Sequence, residues 1–339
     1  MGKLDIHSRP RARQRLWLAW DHLRALAPPA APRGGAAAQE RRGAGSPGPR
    51  GVSAAATQRS PGGRAAPRVT RITPGASPVR VLLAEYRESC GLFAMLVRRT
   101  ILVRYSQTIV GVGWAMLQPL ALMLIFSTFF GFLARMPSDD IPYPLFFCAG
   151  LWAWQLAAQA VGQGSVAIVA NGHIVGKVYF PRAMLPAAAV AVALLDLLAA
   201  APALALVMLV YGAVPDPLGV LVFLLTLLAT IALLLGVTLW LSALQALYRD
   251  TAYLVSFLLQ LWMFVSPVIY PASLVPEGWR TAYAMNPMAA FVEATRFAFA
   301  GGPPPAAEEI AAAILVSLAA LLLGHRFFRL REAHFADAV

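Results

Sequence analysis

Charged residues are scarce in this 339-residue chain: Asp, Glu, Lys and Arg make up only 13% of it, whereas 59% is hydrophobic. A soluble domain carries roughly 25% charged residues. The uncharged run over residues 105–134 is longer than the about 20 residues with which a helix crosses the hydrocarbon layer of a membrane. The shortage of charge therefore argues against a soluble fold and predicts an integral membrane protein.

Cysteine is almost absent, with Cys90 and Cys148 alone. Cys90 precedes the first expected membrane span and Cys148 lies inside the second, so we expect no disulfide framework. The five histidines are scattered, and no HExxH, CxxC or GxSxG spacing occurs. We expect neither a metal site nor a catalytic site in this chain.

A nucleotide site is also missing from the sequence. The nearest approach to a phosphate-binding loop, residues 172–178, has one residue too few between its glycines and a valine where Ser or Thr should bind magnesium. Ion-coupled transport usually leaves several ionisable groups inside the spans, and here Asp196 alone lies well inside one. Asp196 either lines a polar path or fixes the packing of two helices.

Positive charge is concentrated at the N-terminus. The net charge is +12, and residues 1–80 hold 15 Lys/Arg against 3 Asp/Glu, which leaves 13 of each sign beyond them. This segment is rich in Pro, Gly, Ala and Arg, and we expect a disordered tail over 1–80 and a transmembrane domain over 81–339. The tail either touches anionic lipid or has no role, and we expect no nucleic-acid partner.

The apolar runs define an all-α membrane protein with six transmembrane helices. Basic residues near the span ends set the orientation, and with the N-terminus inside they number ten on the cytoplasmic side against three outside. Both termini are then cytoplasmic. The expected spans are 113–133, 143–161, 183–211, 218–247, 253–270 and 306–328.

Two loops and one helix stand out on this topology. Residues 271–305 are apolar, with a break at Asn286 and Pro287, and are expected to form two short re-entrant or interfacial helices on the outer side. The segment 85–105 is expected to be an amphipathic interfacial helix before the first span. The cytoplasmic loop 162–182 predicts a short helix with exposed aromatic side chains, which either docks in a groove of a partner or lies on lipid headgroups.

Several motifs in their order along the chain strongly resemble the membrane subunit of type-two ABC exporters of polysaccharides. The branch is the one that handles O-antigen, teichoic acid or capsule, and the resemblance covers about residues 91–328. The motifs are LVRRTILVRYSQTIVGVGWAMLQPLALMLIFSTFFG, PYPLFFCAGLWAW, IVGKVYFPRAMLP, YRDTAYLVSFLLQLWMFVSPVIYP and YAMNPM.

The resemblance implies a half-transporter in the cytoplasmic membrane of a bacterium. Such a subunit forms a homodimer and binds two copies of a separate ATPase, which holds the ATP and Mg. The dimer moves a lipid-linked glycan through the membrane. An ABC exporter of a drug or a lipid would share this architecture, and a non-transporting membrane scaffold is the alternative from another class.

The resemblance also implies roles for two segments. The helix before the first span gates the cytoplasmic entry, with Phe93, Leu96, Arg99, Arg104 and Tyr105. The loop helix couples the subunit to the ATPase, and its residues are Asn171, Gly172, His173, Ile174, Lys177, Val178, Tyr179, Phe180 and Arg182.

A glycan path needs aromatic rings for sugar faces and scattered polar groups for hydroxyls. Aromatic side chains of the second and fifth spans are therefore candidates for lining or shaping it, although any one of them is more often a packing residue or an interface anchor. The candidate path consists of Tyr143, Phe147, Trp152, Trp154, Asp196, Trp262 and Tyr270.

Overall fold

The computed structural model describes residues 90–105, 113–175, 180–332 and 335, and the predicted tail over 1–80 lies outside them. All regular structure in these residues is helical, as the sequence predicts. We number the helices α1 (Cys90–Tyr105), α2 (Gly113–Leu133), α3 (Tyr143–Ser165), α4 (Ala167–Ala170), α5 (Gly172–Val175), α6 (Met184–Tyr211), α7 (Pro217–Leu247), α8 (Thr251–Val265), α9 (Glu277–Ala284), α10 (Pro287–Ala300) and α11 (Ala307–Arg331).

Five of these helices, α2, α3, α6, α7 and α11, are long and apolar enough to cross a membrane. The predicted span 253–270 does not form one continuous helix, because α8 ends at Val265 after 15 residues. Ser266 adopts an extended conformation, with φ −93° and ψ 147°. The following Pro267 disfavours helical geometry at the residue before it, which explains the early end.

Local chemistry sets the ends of the long helices. Gly212 closes α6 with φ 68°, a left-handed conformation that glycine adopts without steric cost. Four residues later, the Asp216 carboxylate accepts a hydrogen bond from the Gly219 backbone N–H and caps α7, and Pro217 occupies the first helical position. The sequence predicts both boundaries within one residue.

Helix α3 is the centre of the molecule and packs against α6, α7 and α10. Its most apolar window is 78% buried, whereas the corresponding window of α2 is only 6% buried. Hydropathy alone does not separate these two helices. The chain therefore surrounds α3 with its own helices and leaves α2 to face lipid or another chain.

Helices α7 and α11 cross at two glycines. The backbone of Gly236 touches Gly324, and a Cβ added to either residue would overlap the backbone of the opposite helix. Small residues at such crossings let membrane helices approach closely. In lipid the hydrophobic effect does not drive helices together, and dispersion contacts between the closely packed backbones stabilise the pair instead. This pair fixes the position of α11.

The two short helices predicted for residues 271–305 are present as α9 and α10. Asn286 separates them: its side-chain Oδ1 accepts from the Met288 N–H at 3.2 Å and caps α10, which starts at Pro287. Gly301 ends α10 with φ 74°. Almost every side chain of α10 is buried, because it packs against α3, α7 and α11.

Candidate functional site

A cavity of about 290 Å³ lies where α1, α2, α3 and α6 meet. Most of its wall belongs to helices long enough to span a membrane, yet the wall is rich in polar side chains. It is lined by Arg104, Trp114, Ala115, Gln118, Pro119, Gln155, Gln159, Gln163, Ala193, Asp196, Leu197 and Ala200. A polar surface inside an apolar bundle is costly unless water or a ligand covers it, which makes this cavity the candidate site.

An ion pair between Arg104 and Asp196 closes one side of the cavity and joins α1 to α6. The two side chains are only 25% and 15% exposed. The guanidinium therefore compensates the carboxylate that the sequence places inside a span. Asp196 thus joins α1 to α6 and lines the cavity, while its role in a transport path stays a prediction.

Four glutamines make up most of the remaining polar wall. Gln155, Gln159 and Gln163 follow one another at four-residue intervals on α3, and Gln118 faces them from α2. In the part of the chain that the structure describes, none of their side-chain amides has a hydrogen-bond partner. Sequence reasoning missed this group, although amides spaced by four residues within one span are a readable signal of a polar helix face.

The predicted aromatic path residues lie elsewhere. Tyr143, Phe147, Trp152 and Trp154 lie on α3, are buried in the core cluster and do not line the cavity. The Trp152 indole, for example, donates to the Leu197 carbonyl at 2.9 Å. Their role in lining or shaping a path stays a prediction.

The remaining two path candidates, Trp262 and Tyr270, are partly buried and pack against the core cluster. Trp262 meets Trp154 edge to face with ring centroids 5.7 Å apart, and its indole donates to the Asn286 side chain at 3.1 Å. Tyr270 donates to the Phe264 carbonyl at 3.0 Å. Of the predicted path residues, Asp196 is the one that lines the polar cavity.

The expected gate helix and coupling loop touch each other. The Arg99 guanidinium on α1 donates to the Asn171 side chain, which lies between α4 and α5, at 3.5 Å. Leu96 is buried, Phe93 packs against the same cluster, and the side chain of Tyr105 lies outside the described residues. The two predicted segments therefore contact each other, and their roles as gate and coupling element stay predictions.

Only part of the coupling loop is described. Gly172, His173 and the backbone of Ile174 form α5, whereas Lys177, Val178 and Tyr179 lie outside the described residues.

The expectation of an exposed aromatic ring at Phe180 is wrong. Phe180 is 6% exposed and packs in a cluster with Met184 and Phe328. Arg182 likewise turns toward the C-terminus and donates to the Glu332 carbonyl. Both side chains thus attach the loop to the C-terminal end of α11. The contacting residues are about 150 positions apart in sequence, so no local sequence pattern could reveal these contacts.

A second buried charge cluster lies outside the candidate spans, on α10. The Arg296 side chain is 4% exposed, donates to the carbonyls of Val268 at 3.0 Å and Phe146 at 3.3 Å, and stacks 3.5 Å from the Phe146 ring centroid. Gly150 leaves room for the guanidinium, because a Cβ there would lie 2.8 Å from Nη2. Burial lowers the pKa of Arg296 to about 10, and the nearby Glu293 opposes that shift.

The Arg104–Asp196 pair allows a charge-exchange test. Arg104→Asp leaves two carboxylates together and Asp196→Arg leaves two guanidiniums, so each single change is expected to destabilise the protein by about 1–3 kcal/mol, between the values for surface and buried pairs. The exchanged double variant should recover at least half of this loss. Thermal unfolding of the purified chain in detergent measures it, and simple addition of the two single effects would contradict a direct pair.

Known proteins resemble most of this chain in sequence. The O-antigen export system permease protein RfbA of Myxococcus xanthus is 31% identical over 261 residues, which cover 76% of this chain and 99% of the relative. The protein of the same name from Klebsiella pneumoniae is 26% identical over 62% of this chain and 81% of the relative. The polysialic acid transport protein KpsM of Escherichia coli is 25% identical over 70% of this chain and 92% of the relative.

The family model described as ABC-2 type transporter matches residues 91–300, which include every wall of the polar cavity. The chain therefore belongs to the ABC-2 type transporter family.

Proposed function

We propose that this chain is the permease subunit of an ABC exporter that moves a polysaccharide out of a bacterial cell across the cytoplasmic membrane. The observation that carries the proposal is the polar, amide-lined cavity built within membrane-spanning helices. The names of the relatives, O-antigen export permease and polysialic acid transport protein, point to the same class of cargo.

Energy comes from a partner in this proposal. The sequence has no phosphate-binding loop, so ATP and Mg are bound by a separate ABC ATPase, of which two copies join a homodimer of this chain. The almost uncovered surface of α2 supports a contact with a second copy. The substrate is a lipid-linked glycan, which a hydrophobic anchor would hold at the membrane beside the cavity.

The proposed topology has six crossings with both termini in the cytoplasm. The fifth crossing combines α8 with the non-helical residues 266–270, of which Ser266 to Ile269 are buried within the protein. Irregular backbone at membrane depth is tolerated where protein covers it. Helices α9 and α10 are then re-entrant or interfacial on the outer side, and the coupling loop faces the cytoplasm.

Exporters of drugs or lipids share this topology, but neutral amides match sugar hydroxyls better than they match an apolar cargo. Deletion of the gene in its own bacterium tests the choice. Surface polysaccharide should disappear while lipid-linked glycan accumulates inside the cell. Unchanged surface polysaccharide in the deletion strain would refute the proposed function.

Capture of the ATPase tests the coupling loop. Tyr179→Asp is expected to lower the amount of ATPase that copurifies in mild detergent about tenfold or more, because an aromatic contact at the centre of an interface becomes a desolvated charge. Phe180 is left unchanged, since it packs inside this chain.

Tyr211→Asp is the matched control, because Tyr211 is exposed at the opposite end of α6 from the loop. This variant should retain the ATPase. Equal recovery of ATPase from the Tyr179→Asp variant and from the unchanged chain would remove the loop from the interface.

A further inference from the structure

The glutamines on α3 form a straight row along one helix face. Residues four apart lie nearly above one another, about 6 Å apart along the axis. Gln155, Gln159 and Gln163 therefore extend over about 12 Å of the cavity wall. This spacing is comparable with the length of successive sugar units in an extended chain.

The amides in this row have no hydrogen-bond partner among the residues that the structure describes. Each glutamine has two N–H donors and a carbonyl acceptor, and a group of this kind loses free energy in an apolar environment when it is unpaired. No described residue supplies a hydrogen bond to these amides, although neighbouring membrane helices contain other polar groups that are bonded, such as Thr238 to the Leu234 carbonyl at 2.7 Å. Gln155 and Gln159 are half-buried and Gln163 is exposed, so a ligand that enters the cavity meets amides that no described residue occupies.

The charge of the cavity selects among ligands. Arg104 and Asp196 are paired with each other, and the other polar groups of the wall are uncharged, so the lining presents no excess charge. Sugar hydroxyls both donate and accept hydrogen bonds, as amides do. Trp114, which is exposed and lines the same cavity, adds a ring face on which a sugar can stack.

We propose that Gln155, Gln159 and Gln163, with Gln118 opposite them, bind the uncharged, hydroxyl-rich part of the exported glycan during its passage. The inference rests on the proposed function and names the residues that contact its cargo. Neutral amides bind each sugar weakly and in the same way. A chain can then advance from one amide to the next without leaving a deep charged site.

Methionine variants test the row, because methionine keeps the length of glutamine and removes the amide. In the deletion strain complemented with the full chain and its native ATPase, Gln159→Met is expected to reduce the rate of appearance of surface polysaccharide about fivefold. The triple variant at 155, 159 and 163 is expected to reduce it on the order of a hundredfold. The matched control Gln260→Met changes an exposed glutamine on α8 outside the cavity and should export normally.

The outcome separates this inference from the proposed function. Deletion of the gene should remove surface polysaccharide. If the unchanged chain and the triple variant then restore it equally, the proposed role of the glutamine row is refuted and the proposed function stands. Polysaccharide that survives the deletion itself would refute the function. Immunoblots measure the amount of each variant in the membrane. If the triple variant does not accumulate, the export rates of the three single variants test the glutamine row instead.

A chemical readout tests the row independently of export. In a Cys90→Ser background, the Gln159→Cys variant should react with a small water-soluble maleimide, because the cavity is open to water. Cys148 is buried and should stay silent. Labelling should slow in cells that make the glycan relative to cells whose glycan synthesis is blocked. An unreactive position 159, or equal rates in both cell types, would contradict occupancy of the cavity by the glycan.

Discussion

Replacing Gly324 with alanine is expected to destabilise this protein by about 2–3 kcal/mol, the cost of overpacking a close contact. The new methyl group would overlap the backbone of Gly236 on the facing helix, and no flexible side chain is present to move away. Helices α7 and α11 would have to separate, which loses the dispersion contacts along their whole crossing. Leucine at the same position should prevent accumulation of folded protein altogether.

Gly278 on α9 offers a matched control, because a Cβ there would meet nothing within 4 Å. Gly278→Ala should raise stability by about 0.5–1 kcal/mol, since alanine loses less backbone entropy in a helix than glycine does. Thermal unfolding in detergent, followed by tryptophan fluorescence, compares the two variants. Equal unfolding temperatures for Gly324→Ala and Gly278→Ala would show that the crossing tolerates a wider separation.

Hydropathy predicts the long helices well, because apolar side chains are favoured both where a helix faces lipid and where it packs against protein. The predicted span 113–133 coincides with α2, and 183–211 differs from α6 by one residue. The same reasoning fails at α8, since the apolar run continues past Ser266 while the Ser266–Pro267 backbone ends the helix. Average hydropathy reports environment, whereas dihedral preferences decide where a helix stops.

The candidate site was only partly readable from the sequence. Asp196 was identified because a charge inside a span is rare, and its partner Arg104 was assigned to the gate helix for another reason. The glutamines were missed because one uncharged polar residue per helical turn barely changes a hydropathy average. Which face of a span meets a cavity depends on how neighbouring helices pack, and that information is not local.

The contacts of the large aromatic side chains could not be read from the sequence. The Trp152 ring packs against Phe223 of α7 and Phe299 of α10, and the Phe147 ring stacks on Phe126 of α2. Phe180 was expected at an external interface and is covered by residues of the C-terminal helix. Composition identifies large rings, but their contacts come from the tertiary fold.

The half-buried carboxyl group of Glu293 is expected to make stability depend on pH. Burial, with Glu309 nearby, raises the pKa of Glu293 to about 8 in the folded chain from 4.5, while Arg296 opposes the shift. Between these two values the folded state holds a proton that the unfolded state releases. Stability is therefore complete below about pH 4.5 and declines as the pH rises through about 8, with a slope of up to about 1.4 kcal/mol per unit.

Glu293→Gln should abolish most of this decline, because the amide resembles the protonated carboxyl group and does not titrate. The variant and the unchanged chain are expected to unfold at similar temperatures near pH 4.5, whereas above pH 8 the variant should be more stable by about 2–4 kcal/mol. The exposed neighbour Glu308 provides the control variant Glu308→Gln, which should keep the pH dependence of the unchanged chain. A decline of the same slope in the Glu293→Gln variant would assign the titration to another group and separate Glu293 from the charge balance around Arg296.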